Sequence, residues 1–418
     1  MQLKTILNRV YRHRGFVYTD CRLTPSKTSP RVLATIKPRK GSQPVCSGCN
    51  RKAPGYDTLA ERLFEFIPIW GIAVFLLYAM RRVDCPRCGV TVETVPWATG
   101  KSALTKAYAY FLASWAKRMS WKEVADAFHT SWENVFRSVS MVVEWGLAHR
   151  SLGGIDSIGV DEVIWHRGQF LTVVYQIDQG RTRLLWVGKD RTVKTLLGFF
   201  RRLGRERAAA LKFVCSDMWQ PYLKVIAKKA GQAVHILDRF HIMANMNKAI
   251  DDVRRIEVRE LKAKGEGEVL KGARWTLLKR PENRTPKQDL KLAELLRFNL
   301  RAVRSHLLRE EFQHFWTYVS PFWAGAFLDR WCSKVMLSRL EPMKRVARSL
   351  RNHRPLILNW FRARGMVSGG AVEGLNNKLK VITRRAYGFR TYYATLIALY
   401  HALGDLPDPA AEFAHRFY

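Results

Sequence analysis

The stretch SIGVDEVIWHRGQFLTVVYQIDQGRTRLLWVG, residues 157–188, decides the fold. It contains three β-prone runs, SIGVDEVIW, QFLTVVYQID and RTRLLWVG, broken near residues 166–168 and at 179–180. Each break contains a Gly and is far too short for a crossover helix. Neighbouring runs must therefore turn straight back, which makes an antiparallel meander. One residue is out of place: Asp161 puts a charge inside the first apolar run, where a buried strand favours Val, Ile and Leu.

Downstream the pattern changes to alternation. TVKTLLGFFRRLG (192–204) reads as a helix, LKFVCSD (211–217) as a strand, WQPYLKVIAKKAG (219–231) as a helix and AVHILD (233–238) as a strand. Strands that alternate with helices add in parallel to an existing sheet. A meander of three strands, extended by helix-linked strands and closed by a helix, is the order of an RNase H-like domain. Residues 241–365 are basic and helical, with a polar break at KRPENRTPKQ. They interrupt that domain as an all-helical insertion. The closing helix begins at Gly369 and runs through VEGLNNKLKVITRR. The end, LPDPAAEFAHRFY, reads as a short, loosely held tail.

Three acids stand where this topology places a site. Asp161 lies in the first strand. Asp217 follows the strand LKFVCSD, at the carboxyl end where open α/β sheets bind ligands. Glu373 lies on the helix after the insertion. Cleaving or joining phosphodiesters suits two hard divalent cations, and such ions take oxygen ligands. Each acid also has an ordinary explanation: Asp217 could cap a helix, and Glu373 could be a solvated charge. Asn376, Asn377, Lys380 and Arg384 recur at three- and four-residue spacing from Glu373, which suits a stripe binding metal and phosphate. Asp238 and His241, in LDRFHIM, form an acid–His pair one turn apart: a support for the site, or an N-cap Asp beside a packed His.

Upstream, the chain carries seven cysteines, four of them in Cys46-Ser-Gly-Cys49 and Cys85-Pro-Arg-Cys88. Four thiolates suit a closed, structural Zn²⁺ site, and an odd count argues against a disulfide framework. The apolar residues 66–80 lie between the pairs. They are too short and too interrupted for an easy membrane span, and residues 64–83 could form the hairpin that separates the two knuckles. Ser120-Trp-Lys-Glu123 and Thr130-Ser-Trp-Glu133 read as successive capping boxes. With Val124, Phe128, Val135 and Val139 as an apolar face, they outline a helix-turn-helix, though His129 occupies the turn where Gly is common. A plain helical hairpin is the alternative. Ser131, Trp132, Asn134 and Arg137 would face DNA. The tryptophans of the insertion, Trp275, Trp316, Trp323 and Trp331, could stack unpaired bases or fill a core.

Composition points the same way. The 418 residues are 47% hydrophobic, enough for sizeable cores. Lys plus Arg number 71 against 35 acids, a net charge of +36. A chain this basic is stabilised by a polyanion, and nucleic acid is the expected partner. Residues 1–14 are basic but lack the apolar segment of a secretory signal.

The whole pattern resembles the bacterial insertion-sequence transposases of the ISL-three group. The resemblance covers a double-CxxC module, a helix-turn-helix, the GVDE strand, SDMW, DRFH, a helical insertion and EGLNNKLKVITRRAYGF. It implies a multidomain α/β protein: a zinc-binding β module over 1–99 and a helix-turn-helix over 100–150. An RNase H-like catalytic domain over 151–240 and 366–418 would be interrupted by the insertion at 241–365. It implies Asp161, Asp217 and Glu373 as a DDE triad holding two Mg²⁺ (or Mn²⁺) ions. Asp238, His241, Asn377 and Lys380 would support them, and Arg384 would contact DNA. The implied reaction is cleavage at terminal inverted repeats followed by strand transfer to target DNA. The protein would act as a homodimer or larger assembly in the bacterial cytoplasm, associated with the nucleoid and without a membrane. A nuclease or resolvase of the same fold, or a non-catalytic DNA-binding regulator, would share many of these features.

Overall fold

The computed structural model describes residues 2–25, 30–166, 168–363 and 369–409. The chain forms two compact units, residues 1–151 with 379–418, and residues 152–378.

The first unit opens with an element the composition did not suggest, helix α1 (Leu3–Val10), whose Leu7 is buried. Strands β1 (Phe16–Leu23), β2 (Arg31–Pro38), β3 (Gly55–Ile69), β4 (Ile72–Cys85) and β5 (Gly89–Val92) form a sheet in the order β1-β2-β4-β3, with β5 also on β4. The apolar run 66–80 is thus part of the β3–β4 hairpin, as expected. Ile69 pairs with Ile72, which leaves Trp70 and Gly71 as the turn, both with positive φ (54° and 78°). A two-residue hairpin loop of this hand needs positive φ twice, and Trp70 stands 94% exposed at the tip. Phe64, Val74, Leu76, Tyr78 and Trp97 fill the core beneath.

Helices α2 (Lys106–Trp115), α3 (Trp121–Ala127) and α4 (Trp132–His149) follow. Ser120 and Glu123 form the expected capping box on α3. The second box is corrected. Ser131, not Thr130, caps α4 by accepting from the Asn134 N–H at 3.1 Å, and Glu133 pairs with Arg137 instead. His129 takes φ 50°, so it adopts the left-handed turn conformation that Gly usually supplies. The cap consequently starts one residue later. Val124, Val135 and Val139 are fully buried, as the periodicity requires.

In the second unit β6 (Ser157–His166), β7 (Gln169–Asp178) and β8 (Arg181–Lys189) form the expected antiparallel meander. Helices α5 (Val193–Leu203) and α6 (Arg205–Ala209) lead to β9 (Phe213–Ser216), and α7 (Gln220–Lys229) leads to β10 (Val234–Leu237). Both late strands add in parallel, giving the order β10-β9-β6-β7-β8. Successive side chains alternate between faces. Ile158, Val160, Val174 and Leu185 pack against Phe199, Tyr222 and Ile226 of α5 and α7. Gly159 and Asp161 therefore look to the other face.

The helical stretch expected over 241–365 begins at Arg239 and comprises α8 (Arg239–Ala263), α9 (Ala273–Leu278), α10 (Pro286–Leu296), α11 (Arg301–Gln313), α12 (Pro321–Leu337), α13 (Glu341–Asn352) and α14 (Arg354–Arg362); positions 364 and 365 lie outside the described residues. They share one core around Met246, Phe312, Phe315, Trp331 and Met343. Trp316 and Trp331 are buried in that core, whereas Trp275 and Trp323 are exposed. The polar break falls between α9 and α10, where Thr285 caps α10. Helix α15 (Gly369–Arg385) then returns to the sheet, and α16 (Tyr392–Leu403) packs on α4. The tail beyond residue 409 lies outside the described residues.

Candidate active site

Backbone register builds the site. Gly159 pairs with Cys215 across the parallel β6–β9 ladder, so Asp161, two residues on, comes level with Asp217. Leu237 pairs with Ser216 across β9–β10, so Asp238 also comes level with Asp217. Adjacent strands are about 4.8 Å apart. Three aspartates thus stand side by side at the carboxyl edge of the sheet, with Asp217 in the middle.

Helix α15 is brought to this edge by a missing side chain. A Cβ on Gly159 would sit 2.4 Å from Val372 Cγ2, so only glycine lets the helix lie this close to β6. Val372, Leu375 and Leu379 are buried. Asn376 is buried with them and leaves the exposed stripe of Glu373, Asn377, Lys380 and Arg384. The expectation that all five share one face is corrected here: three residues beyond Glu373 the helix has turned far enough to aim Asn376 at the sheet. Its Nδ2 donates to Asp161 Oδ2, and Tyr175 Oη donates to Asn376 Oδ1 at 2.9 Å. Lys380 and Arg384 belong to the part of α15 grouped with the first unit.

For Asp238 and His241 the capping half of the reading is observed, and the imidazole lies near Asp161. Asp238 caps α8, accepting from the Phe240 N–H at 2.8 Å. His241 Nε2 lies 3.5 Å from Asp161 Oδ1 and 3.9 Å from Asp238 Oδ2. The bond to Asp161 pushes the imidazole up to about 9, against its partial burial. Burial raises the Asp238 carboxyl above its ordinary value. Asp238 and Glu373 line one cavity of about 510 Å³ with Phe240, Arg280 and Trp360.

Two further residues join the site that sequence reasoning had passed over. Arg191, in the turn after β8, donates from Nη2 to Asp217 Oδ2 and from Nε to Glu162 Oε1, both at 3.0 Å. Its guanidinium lies 4.3 Å from the Trp219 ring centre. Burial, then the Asp217 charge, push Glu162 up to about 7, with Arg191 opposing. Glu162 sits next to Asp161 in the same motif, a signal that was available. Nothing in the spacing pointed to Arg191.

Among the described residues, the only three or more metal-ligating side chains with donor atoms within 4.8 Å of one another are Cys46, Cys49, Cys85 and Cys88. The carboxylates of Asp161, Asp217 and Glu373 are not gathered that closely. Their donor chemistry still fits hard divalent ions: all three offer carboxylate oxygens, and the two on the strand edge already draw in cations, Asp217 with Arg191 and Asp161 with His241.

A protein family described as "Transposase", of the DDE and ISL3 type, matches residues 158–398. The chain belongs to the ISL3-type DDE transposase family. It is 32% identical over 397 residues to the transposase for insertion sequence element IS1557 of Mycobacterium tuberculosis, covering 88% of this chain and 87% of that one. It is 28% identical over 350 residues to the transposase for insertion sequence element IS1001 of Bordetella parapertussis, covering 83% and 85%.

The first unit of this transposase carries the remaining candidates. Cys85 ends β4, Cys88 precedes β5, and Cys46 and Cys49 lie in the loop before β3. A Cβ on Gly48 would lie 2.9 Å from Cys88 Sγ, so glycine lets the two knuckles close on each other. Four such thiols suit a tetrahedral zinc ion. On α4, Trp132 is 61% exposed and Arg137 is exposed. Ser131 is occupied as the cap, and Asn134 Nδ2 donates to Thr130 Oγ1 at 3.1 Å. No helix among the described residues is long and apolar enough to cross a membrane.

Proposed function

We propose that this transposase binds the terminal inverted repeats of its insertion sequence and catalyses Mg²⁺-dependent cleavage and strand transfer. Asp161, Asp217 and Glu373 serve as the metal-holding triad of an RNase H-like domain. The observation that carries this is the register of β6, β9 and β10, which sets Asp161, Asp217 and Asp238 level at one edge. The Asn376–Asp161 bond ties the helix of Glu373 to the same edge.

When bound at such a site, two Mg²⁺ or Mn²⁺ ions activate the attacking oxygen and stabilise the leaving one. Asn376 and His241 fix the direction of Asp161, as hydrogen-bonded neighbours fix ligating carboxylates elsewhere. In cleavage, a water oxygen forms the new bond to phosphorus and the 3′-oxygen leaves. In transfer, that 3′-hydroxyl attacks a target phosphodiester, whose own 3′-oxygen leaves. The acid-lined cavity beside Asp238 and Glu373 gives the strand a place to lie, and Arg280 there can meet phosphate.

We assign the five segments as anticipated from the sequence. The four-cysteine module holds structural Zn²⁺, and α3–α4 act as the helix-turn-helix, with Trp132 and Arg137 towards DNA. On α15, Asn377 offers a neutral amide and Lys380 and Arg384 offer cations, groups suited to phosphates. Two element ends must be handled together, so the working form is a dimer or larger assembly on double-stranded DNA in the cytoplasm.

The decisive experiment is a strand-transfer assay with end-bearing DNA and Mg²⁺, using the parent and Asp161→Asn. The parent should cleave and join, and the variant should do neither. Cleavage without joining would indicate a nuclease, and an active Asp161→Asn would remove the triad.

A further inference from the structure

Arg191 has two anchors besides Asp217. Its Nε is held by Glu162, and its guanidinium plane rests over Trp219. The turn that presents it is also fixed. Asp190 has φ 71°, a left-handed conformation in a non-glycine residue. The Asp190 N–H donates to the Phe170 carbonyl at 2.9 Å, and its carbonyl accepts from Thr172 Oγ1 at 2.8 Å. Thr172 is fully buried and bonded to Tyr222 Oη at 2.6 Å. A strained turn with this many restraints holds Arg191 in one place.

What Arg191 does there is gather Asp217 with Glu162 rather than with Asp161. Asp161 and Glu162 are consecutive in a strand, so they point to opposite faces of the sheet. Asp161 looks towards Asn376 and His241, whereas Arg191 bonds Glu162 on the other side. Asp217, level with Asp161, accepts the Trp219 N–H at Oδ1 (2.9 Å) and the arginine at Oδ2, and both donors hold it in this orientation.

We propose that Arg191 is a latch on the metal site. With no divalent ion bound, Nη2 occupies Asp217 Oδ2 and keeps the carboxylate turned from Asp161. A divalent ion competes for that oxygen. Arg191 then releases Asp217 but stays held by Glu162 and Trp219, which leaves Nη2 free beside the ions to bond a non-bridging oxygen of the scissile phosphate. A planar guanidinium suits that second role, since it bonds phosphate oxygens directionally. The inference rests on Asp217 being a metal ligand.

The test is Mn²⁺ binding to the full, zinc-loaded chain without DNA, followed by calorimetry or by the resonance signal of free Mn²⁺. Arg191→Gln should bind Mn²⁺ about two- to fivefold more tightly, the worth of one partly exposed ion pair. The gain should shrink in high salt. The same variant should cleave DNA on the order of a hundredfold more slowly. Arg191→Lys, which keeps the charge but cannot span both acids, should give an intermediate Mn²⁺ affinity and guards against a folding defect in the first variant. Unchanged or weaker Mn²⁺ binding in both variants overturns the latch. Asp217→Asn separates the two levels. If it leaves Mn²⁺ binding untouched, the metal reading itself fails; if it weakens binding while the arginine variants do not tighten it, only the latch fails.

Discussion

Asn376 donates a hydrogen bond to Asp161 across 215 positions of chain. That bond joins the first strand of the sheet to the helix that follows the whole insertion. Asn376→Asp would place a second carboxylate against a buried one, and Asn376→Ala would remove the donor to Asp161 Oδ2 while Oδ1 keeps the Glu162 N–H. We expect Asn376→Ala to lower strand transfer by about ten- to a hundredfold, the usual effect of removing a ligand's supporting bond. DNA binding should persist, as read by gel shift. Full activity would mean the bond has no part in the reaction.

Gly159→Val should do more damage. Its side chain meets Val372 where even a Cβ has no room, so α15 must move off the sheet. Overpacking of this kind costs about 1–3 kcal/mol, and a shifted helix carries Asn376 away from Asp161. We expect a lower melting temperature together with loss of activity. A variant that is active and equally stable would show that the close approach does not matter.

Two groups of the second unit, both shifted by burial, pull its stability in opposite directions in mild acid: Glu162, pushed up to about 7, favours the folded state as pH falls, and His235 disfavours it. Burial pushes the His235 imidazole down from 6.5 to about 4, beside Ser216 Oγ at 2.8 Å. Between those values the unfolded chain binds a proton that the folded chain refuses. The His235 contribution therefore rises with pH across that window and is lost as pH falls from 6.5 towards 4, by up to about 3 kcal/mol. In the first unit, His13 and His401 are depressed by burial in the same direction. Denaturant midpoints measured at pH 4, 5, 6 and 7 should rise less with pH in His235→Gln. An unchanged dependence would contradict the assignment.

Metal analysis of the purified chain should find one zinc per chain, lost on Cys46→Ser. Removal should loosen the end of the β3–β4 hairpin, because the four thiols reinforce the few backbone bonds that join it to the preceding loop. Limited proteolysis should then cut near residues 44–54 first, while the fragment containing residues 152–378 survives. No zinc in the parent protein would end this reading.

Trp132→Ala and Arg137→Ala should leave the fold intact, since both side chains are exposed. Binding to end DNA should weaken, and Arg137→Ala should reduce the salt slope by about one if it meets a phosphate. Val135→Ala, by contrast, opens a fully buried position and should lower the melting temperature.

Much of the fold could be read from the chain because it is written in local periodicity. The break glycines force the β6–β8 meander, and the helix-linked runs force β9 and β10 to add in parallel. Cysteine spacing named the cluster, and the apolar stretch between the pairs became its hairpin. Helix α1 was missed because only Leu7 of its eight residues is buried, too little for a periodic signal. The second cap was misplaced by one residue because His129 accepts a backbone conformation that its side chain disfavours. Within the site, the acids stood out because a charge in a strand is conspicuous. Arg191 was invisible because its partners, 26 and 29 positions away, are set by strand order and not by spacing. Asn376 was seen on its helix, but which face looks inward depends on Gly159 and Val372, and that is a tertiary fact.

The order of parts along the polypeptide has a consequence for copies that are damaged by frameshift. A product that stops within residues 241–365 has already made the four cysteines and the α3–α4 pair. It has not made Asn376 or Glu373. Such a fragment also lacks α16, which packs on α4, so the first unit loses one of its helices while Asp161 never gains its partner. A frameshift within the insertion therefore damages both units at once, and not the second alone.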